Sequence, residues 1–217
     1  MKYLTEGQEI IVVDFEWTAW EGSHDRNWSL PWEHREIIRI GAIKFHLQNK
    51  SLYVNDAFSR FCRPLVNTNL SEYICNLCSI CQQDIDAADD LNVALSAFLK
   101  FAKGLDTYCN GGDNDVLREN ISLNREHNKT STFFSDTFFP AIYSCRQDLS
   151  RFLGLKEAKC ISGELLQYIS HEKARSVLLD FSELQAHNPV FDALSIAVVL
   201  GLMEGAETFS VSTKVKV

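Results

Sequence analysis

The pattern of apolar and polar residues predicts three β-strands in the first part of the chain. Ile10–Phe15 is a run of apolar, mostly β-branched residues, which is typical of a buried strand. The segments "REIIRIGAIKF" (35–45) and "SLYVNDAFSRFCRP" (51–64) predict two more strands. The polar residues 48–50 between them predict a turn, so that the three strands form an antiparallel meander.

The rest of the chain alternates predicted helices with short strands. Helices are predicted over 89–104, 114–127, 140–153, 163–170 and 189–203, and strands over 105–109 and 131–136. A meander followed by this alternation predicts an α/β fold, a mixed five-stranded sheet flanked by helices on both faces. Ligands of such sheets collect at strand ends near a switch in strand order, and we expect the end of the first strand to lie there.

Composition and charge narrow the class of protein. The chain has 217 residues, 46% of them hydrophobic, which fits a single domain with its core over about 8–204 and a tail over 205–217 that either contributes to targeting or is disordered. The longest apolar run, Leu194–Met203, is too short to cross a bilayer and no export signal is visible, so we expect a cytoplasmic protein without a membrane partner. The net charge of −8 argues against non-specific nucleic-acid binding through a basic surface, although a carboxylate-lined metal site would itself add negative charge.

Cysteines offer one candidate metal site. The chain has seven, and Cys75, Cys78 and Cys81 follow the spacing of an iron–sulfur or zinc motif. Neither Cys62 nor Cys109 supplies a fourth ligand in register. The alternative, small buried side chains in a short helical turn, is therefore favoured.

Acidic residues form a second candidate metal site. Asp14 and Glu16 end the first strand two positions apart, so their side chains share one face and repel unless a cation lies between them. Asp115 opens the helix after the fourth strand, and Asp192 lies in the first turn of the last helix. Each of these alone is more often incidental, an ordinary strand end or helix cap, and only their conjunction favours a shared site.

The start of the last helix carries a histidine. Asn188 is a good N-cap and Pro189 suits the first helical position, which places His187 in the loop before the helix. The ordinary interpretation of such a histidine is a surface residue. Four carboxylates that are ionised together need cations, and all-oxygen ligands select Mg²⁺ or Mn²⁺. Two such ions with a neutral histidine nearby predict phosphodiester hydrolysis.

The order of these groups resembles a known family. D-F-E at 14–16, an aspartate in "GGDNDVLREN" (111–120) and H-x-x-x-x-D in "HNPVFDAL" (187–194) are similar to the DEDDh branch of the DnaQ-like 3′–5′ exonucleases. The segment "FSRFCRPLVNTNLSEYICNLCSICQQDIDAA" (58–88) extends the likeness to the ERI-1-like subgroup, over most of residues 10–203. The resemblance implies a ribonuclease H-like fold, single-stranded 3′ ends of RNA or DNA as substrates, and nucleoside 5′-monophosphates as products.

The resemblance also implies roles for five residues. Asp14 would bridge both metal ions, Glu16 and Asp192 would bind the catalytic ion, Asp115 would act on the second ion, and His187 would be the general base. By position, Leu77 and Ile80 would line the pocket for the terminal nucleotide, and Thr18 would lie near the 3′ end. Asn188 and Trp17, which stands where the family often has alanine, are further candidates for substrate binding. Trp17 would stack on a base, and a packed aromatic side chain is an equally good interpretation of it.

The second acidic motif departs from the family pattern. The tryptophan that usually precedes its glycine is absent, and the sequence is Asn110-Gly111-Gly112. This leaves a choice between Asp113 and Asp115, and the spacing to Leu117 with the family register favours Asp115.

These observations predict a metal-dependent 3′–5′ exonuclease. One alternative is a trimming or small-RNA-processing enzyme with a narrow length preference. Another is a catalytically idle nucleic-acid-binding module, which the complete set of clustered acids argues against. The choice between RNA and DNA and the identity of protein partners stay open at this stage.

Overall fold

The computed structural model describes residues 3–127, 141–156 and 186–211. Its strands are β1 (Ile10–Trp17), β2 (Ile37–Gln48), β3 (Ser51–Arg63), β4 (Asp89–Asp90), β5 (Thr107–Cys109), β6 (Ile142–Ser144) and β7 (Thr208–Val211). Its helices are α1 (Glu72–Cys78), α2 (Gln82–Asp86), α3 (Leu91–Ala102), α4 (Asp113–His127), α5 (Arg146–Phe152) and α6 (Pro189–Met203). No helix in these ranges is long and apolar enough to span a membrane.

The strands form one mixed sheet in the order β4-β3-β2-β1-β5-β6, and β7 pairs with β3. The pairs β1–β2 and β2–β3 are antiparallel, whereas β5 and β6 continue the sheet from β1 in parallel. The predicted mixed sheet with flanking helices is thus confirmed, and strand order switches beside β1. The described residues form seven strands rather than the predicted five.

The predicted turn between β2 and β3 is a tight hairpin. Asn49 and Lys50 both have positive φ, 49° and 60°. Two consecutive left-handed residues match the right-handed twist of the flanking strands. This turn sets the register of the long β2–β3 pair, in which Gln48 pairs with Ser51.

The second half of the chain departs from the predicted elements. The expected helix over 140–153 was wrong at its start, because Ile142–Ser144 forms the edge strand β6 and the helix begins only at Arg146. Within the expected tail, Thr208–Val211 pairs in parallel with β3 as β7. Both strands are short and depend on a partner distant in sequence. The predicted strand at 131–136 and helix at 163–170 lie outside the described residues.

Side chains of β1 alternate between the two faces of the sheet. Ile10 and Val12 pack in the apolar cluster that contains α6. Ile11 and Val13 pack in the cluster on the opposite face, with α3 and α4. Because this alternation continues to the end of β1, Asp14 and Glu16 lie on the same face of the sheet as α6.

Candidate active site

The close approach of α6 to the sheet brings three carboxylates together. Asp14 pairs across the sheet with Gly41. A Cβ added to Gly41 would lie 2.2 Å from the carbonyl carbon of Pro189, so only glycine lets the first turn of α6 lie on β2 there. Asp192, in that turn, reaches the end of β1 as a result. One carboxylate oxygen from each of Asp14, Glu16 and Asp192 lies within 4.8 Å of the others.

The start of α6 also positions His187. The Asn188 side chain accepts a hydrogen bond from the Val190 N–H at 3.2 Å, and Pro189 opens the helix, as predicted. His187 lies just outside, in the left-handed region at φ 64°, and lines the same pocket as the three carboxylates. Burial lowers the pKa of His187, which favours the neutral form of its imidazole.

The fourth acidic residue of the pocket is Asp113, which corrects the preference for Asp115. Asp113 is 3% exposed and lines the pocket, whereas the Asp115 side chain is exposed and lies outside it. The Phe15 N–H donates to Asp113 Oδ1 at 3.0 Å, which ties the start of α4 to β1. Because α4 begins at Asp113, residue 115 is about 200° further around the helix and faces away.

Burial raises the pKa of two acids of the pocket although positive charges lie near both of them. Burial, followed by repulsion from Asp192, raises the pKa of Glu16. Burial also raises the pKa of Asp113, against the hydrogen bond from Phe15 and the charge of Arg146. A divalent cation would reverse these shifts, and four carboxylates are a hard, all-oxygen set that fits Mg²⁺ or Mn²⁺.

The three cysteines that are close in sequence, Cys75, Cys78 and Cys81, lie in different surroundings in the structure. Cys78 is buried, and its thiol donates to Glu16 Oε2 at 3.2 Å. Cys81 is exposed and donates to Asp84 Oδ2 at 2.9 Å, while Cys75 is half-buried. Within the described ranges, only the three carboxylates come close enough to form a candidate metal-binding group of three or more acidic, histidine or cysteine residues.

Two of the five predicted substrate-binding residues line the pocket. Trp17 and Leu77 do so, from β1 and α1. Thr18 is 1% exposed, and its hydroxyl donates to the His34 carbonyl oxygen and accepts from the Glu36 N–H. Ile80 is buried in a separate apolar cluster, and Asn188 caps α6. The contacts of these last three residues are therefore structural.

A segment between β1 and β2, residues 18–36, supplies pocket residues that sequence reasoning missed. Trp28 and His24 line the pocket, with their rings 5.8 Å apart. Trp28 is in the left-handed region at φ 48°, and its Nε1 donates to the Thr18 carbonyl oxygen at 3.1 Å. The segment is tied internally by buried Glu33, which accepts from Ser23 Oγ at 2.7 Å. The high density of tryptophans in this segment could have indicated a binding surface, but the sequence does not show which tryptophans face the site.

Arg146 is a cation in the pocket that was also missed. It lies against Gly111, where an added Cβ would come within 2.0 Å of Nη2. Its Nη2 donates to the Asn110 carbonyl oxygen at 3.0 Å, and its charge acts on Asp113. The unusual Asn-Gly-Gly sequence at 110–112 thus makes room for a guanidinium beside the acids.

Known structures share this architecture. The nuclease domain of 3′hExo, described as a DEDDh family member bound to rAMP, superposes with a TM-score of 0.69 at 20% identity, over 94% of this chain and 96% of that one. A 3′-exonuclease described in the 3′-end-specific recognition of a histone mRNA stem-loop gives a TM-score of 0.69 at 19% identity, over 94% and 85%. At these identities the likeness concerns the fold, which is that of the ribonuclease H-like exonucleases.

Sequence comparison assigns the family. The RNase_T family model, described as Exonuclease, matches residues 11–154, and the chain belongs to this exonuclease family. The 3′-5′ exoribonuclease 1 of Rattus norvegicus is 34% identical over 95 residues, 43% of this chain and 25% of that protein. Its Homo sapiens counterpart is 31% identical over 94 residues, again 43% and 25%. The chain thus matches about a quarter of the length of these relatives, and the resemblance seen in the sequence is confirmed.

Proposed function

We propose that this protein is a metal-dependent 3′–5′ exonuclease that hydrolyses phosphodiester bonds at single-stranded ends of RNA or DNA and releases nucleoside 5′-monophosphates. The observation that carries the proposal is the trio Asp14, Glu16 and Asp192, with oxygens within 4.8 Å of one another in a pocket shared with Asp113 and His187. A module that only binds nucleic acid would gain nothing from crowding these acids together.

The acids would hold two divalent ions. Asp14, Glu16 and Asp192 would bind one ion, and Asp14 with Asp113 the other. Bound there, Mg²⁺ or Mn²⁺ would supply an activated water and stabilise the leaving oxygen. The backbone N–H of Phe15 orients Asp113 from the adjacent residue of β1, so that all four ligands are held by regular secondary structure.

His187 would be the general base. Its imidazole is half-buried at the edge of the acidic pocket, and burial keeps its pKa below the ordinary value. A neutral imidazole can accept the proton of the attacking water, and the remaining hydroxide then forms a bond to phosphorus as the bond from phosphorus to the 3′ oxygen of the preceding nucleotide breaks. The loop position of His187 keeps the side chain outside the α6 backbone and leaves it room to approach that water.

The pocket walls support a single-stranded substrate. Trp17, Trp28 and His24 line it from one part of the chain, and Tyr73 and Leu77 line it from α1. Aromatic and apolar surfaces beside an acidic site are suited to stacking unpaired bases, which a duplex end does not present. The guanidinium of Arg146 would contribute positive charge for a substrate phosphate.

RNA is the favoured substrate. Two sequence relatives, at 34% and 31% identity, are named 3′-5′ exoribonuclease 1, and one structural neighbour is described with rAMP. The 2′-hydroxyl would be read by donors and acceptors of the pocket.

The test uses matched RNA and DNA strands carrying a 5′ label, incubated with Mg²⁺, Mn²⁺ or EDTA. A ladder that shortens from the 3′ end and disappears in EDTA is expected, with faster cleavage of RNA. Asp14→Asn is the control variant, because it keeps the side-chain shape and removes a ligand charge. A ladder that stops at one fixed length would favour the trimming enzyme, and binding without cleavage under every metal would favour the idle module.

A further inference from the structure

Cys78 occupies a fixed position beside the acidic site. It is the last residue of α1, whose first turn is capped by the Ser71 side chain and whose end is closed by Ser79 in the left-handed region at φ 52°. Ile74 and Cys78 lie four residues apart on one helix face and pack in the apolar cluster around Ile38. Capping and packing together leave the Cys78 side chain little freedom.

The thiol contacts a carboxylate of the site. Its Sγ lies 3.2 Å from Glu16 Oε2, and the two residues are 2% and 9% exposed. Water therefore has little access to compete for this hydrogen bond. Arg39 pairs with Glu16 across β1 and β2, but its guanidinium nitrogens contact Ser59 Oγ at 3.2 and 3.3 Å. The thiol is thus a direct donor to Glu16 from an element outside the sheet.

We propose that Cys78 is a positioning residue, whose S–H donates to Glu16 and holds its carboxylate in the orientation that binds a divalent ion. The inference rests on the proposed metal site. A carboxylate ligand with one oxygen engaged by a fixed donor cannot rotate freely about its last torsion, so less order has to be imposed when the ion binds. Partners of this kind typically change metal affinity or activity by about 10–100-fold when they are removed.

The competing explanation is packing alone, since Cys78 also fills space in an apolar cluster. A pair of substitutions separates the two explanations. Cys78→Thr and Cys78→Val introduce side chains of nearly the same shape, of which only threonine carries a donor. If packing alone matters, the two variants behave alike.

The experiment measures Mn²⁺ binding to the metal-free protein by calorimetry and by electron paramagnetic resonance, without nucleic acid. We expect Cys78→Val to weaken binding by about 10–100-fold and Cys78→Thr to stay within about threefold of the wild type. Cys75→Val is the matched control, because Cys75 is a half-buried thiol of the same helix, whereas the thiol that donates to Glu16 is that of Cys78. Melting temperatures in EDTA check that all variants fold. Excess metal compensates for a weakened affinity, so the kcat of Cys78→Val at saturating Mg²⁺ should be close to the wild-type value.

Equal weakening in the Thr and Val variants would overturn the positioning role in favour of packing, and wild-type affinity in Cys78→Val would overturn it outright. If the wild-type protein itself binds no Mn²⁺, the proposed function fails and this inference fails with it. If the wild-type protein binds Mn²⁺ and the Cys78→Val variant binds it equally well, only the role of Cys78 is excluded. The two failures are therefore distinguishable.

Discussion

The candidate site is bounded by two regions built in different ways. On one side, Asp14, Glu16 and Asp192 extend from β1 and α6, whose positions follow from strand register and from the close packing at Gly41. On the other side, Trp28 extends from the irregular segment 18–36, which is held in shape by hydrogen bonds from its side chains to one another and to the backbone. In the proposed mechanism, the first region has to place its carboxylates with ångström precision to bind metal ions, whereas the second has only to offer a surface on which bases stack. Changes in the first should therefore affect chemistry, and changes in the second should affect substrate affinity.

The largest expected effect separates Asp113 from Asp115. Asp113→Asn should reduce hydrolysis to background, because it removes one of four ligand charges while an amide oxygen can still accept the hydrogen bond from Phe15. Asp115→Asn, on the exposed side of the same helix turn, should change activity by less than about threefold, as expected for a surface substitution. Initial rates on a labelled RNA strand measure both. Loss of activity in Asp115→Asn with normal activity in Asp113→Asn would reverse the assignment.

His187→Ala should lower kcat by about 10²–10⁴-fold, the usual contribution of a positioned base. The base acts when neutral, so activity falls as pH decreases through its pKa. Because burial lowers that pKa, the acidic limb of the pH profile should lie below the ordinary histidine value of about 6.5. The profile of kcat/KM from about pH 5 to 8 measures this. A limb that persists unchanged in the alanine variant would remove His187 from the mechanism.

Gly41→Ala tests the packing that brings Asp192 to β1. The added Cβ would overlap the backbone at Pro189, so α6 has to shift, at a cost of about 1–3 kcal/mol in unfolding free energy. Activity should fall further than this stability loss explains, because the shift separates Asp192 from the other ligands. Gly201→Ala, within α6, is the control, because an added Cβ there would meet side-chain atoms rather than backbone, the Leu52 methyl carbons at 3.1 and 3.2 Å and the Ala206 Cβ at 3.5 Å. Denaturant melts and kcat at saturating metal measure the two effects, and equal activity loss in both variants would contradict this reasoning.

The smallest effects belong to the aromatic wall. His24→Ala should raise the substrate Kd by about 5–150-fold, because a stacked base contributes about 1–3 kcal/mol. Trp28→Phe should raise it less, because phenylalanine retains part of the stacking, and kcat should change little in both variants. Binding is measured with Ca²⁺ in place of Mg²⁺, on strands with or without an abasic nucleotide near the 3′ end. When the abasic position is the nucleotide whose base would stack on the substituted side chain, the substitution should no longer change the Kd.

Trp32→Ala is the control for the wall, since Trp32 belongs to the same segment, is 49% exposed and lies outside the pocket. A loss of affinity in Trp32→Ala equal to that in His24→Ala would mean that the segment acts through its fold rather than through stacking.

Local features of the sequence determined much of this protein. The alternation along Ile10–Phe15 was enough to place Asp14 and Glu16 on one face, because side chains of a strand alternate regardless of what surrounds it. Asn188 and Pro189 defined the start of α6 and left His187 outside it, because capping depends on a few adjacent residues. The meander and its turn were predictable for the same reason.

The tertiary structure decided what depends on residues distant in the chain. Asp113 rather than Asp115 enters the site because the phase of α4 relative to β1 is set by the contact with Phe15, 98 positions away. The strand β7 exists only because the edge of β3 is available to pair with it. Cys78 reaches Glu16 across 62 positions, through a helix packed on the sheet. Local propensity carries no information about such long-range contacts, because each contact forms only when the fold has brought both residues together.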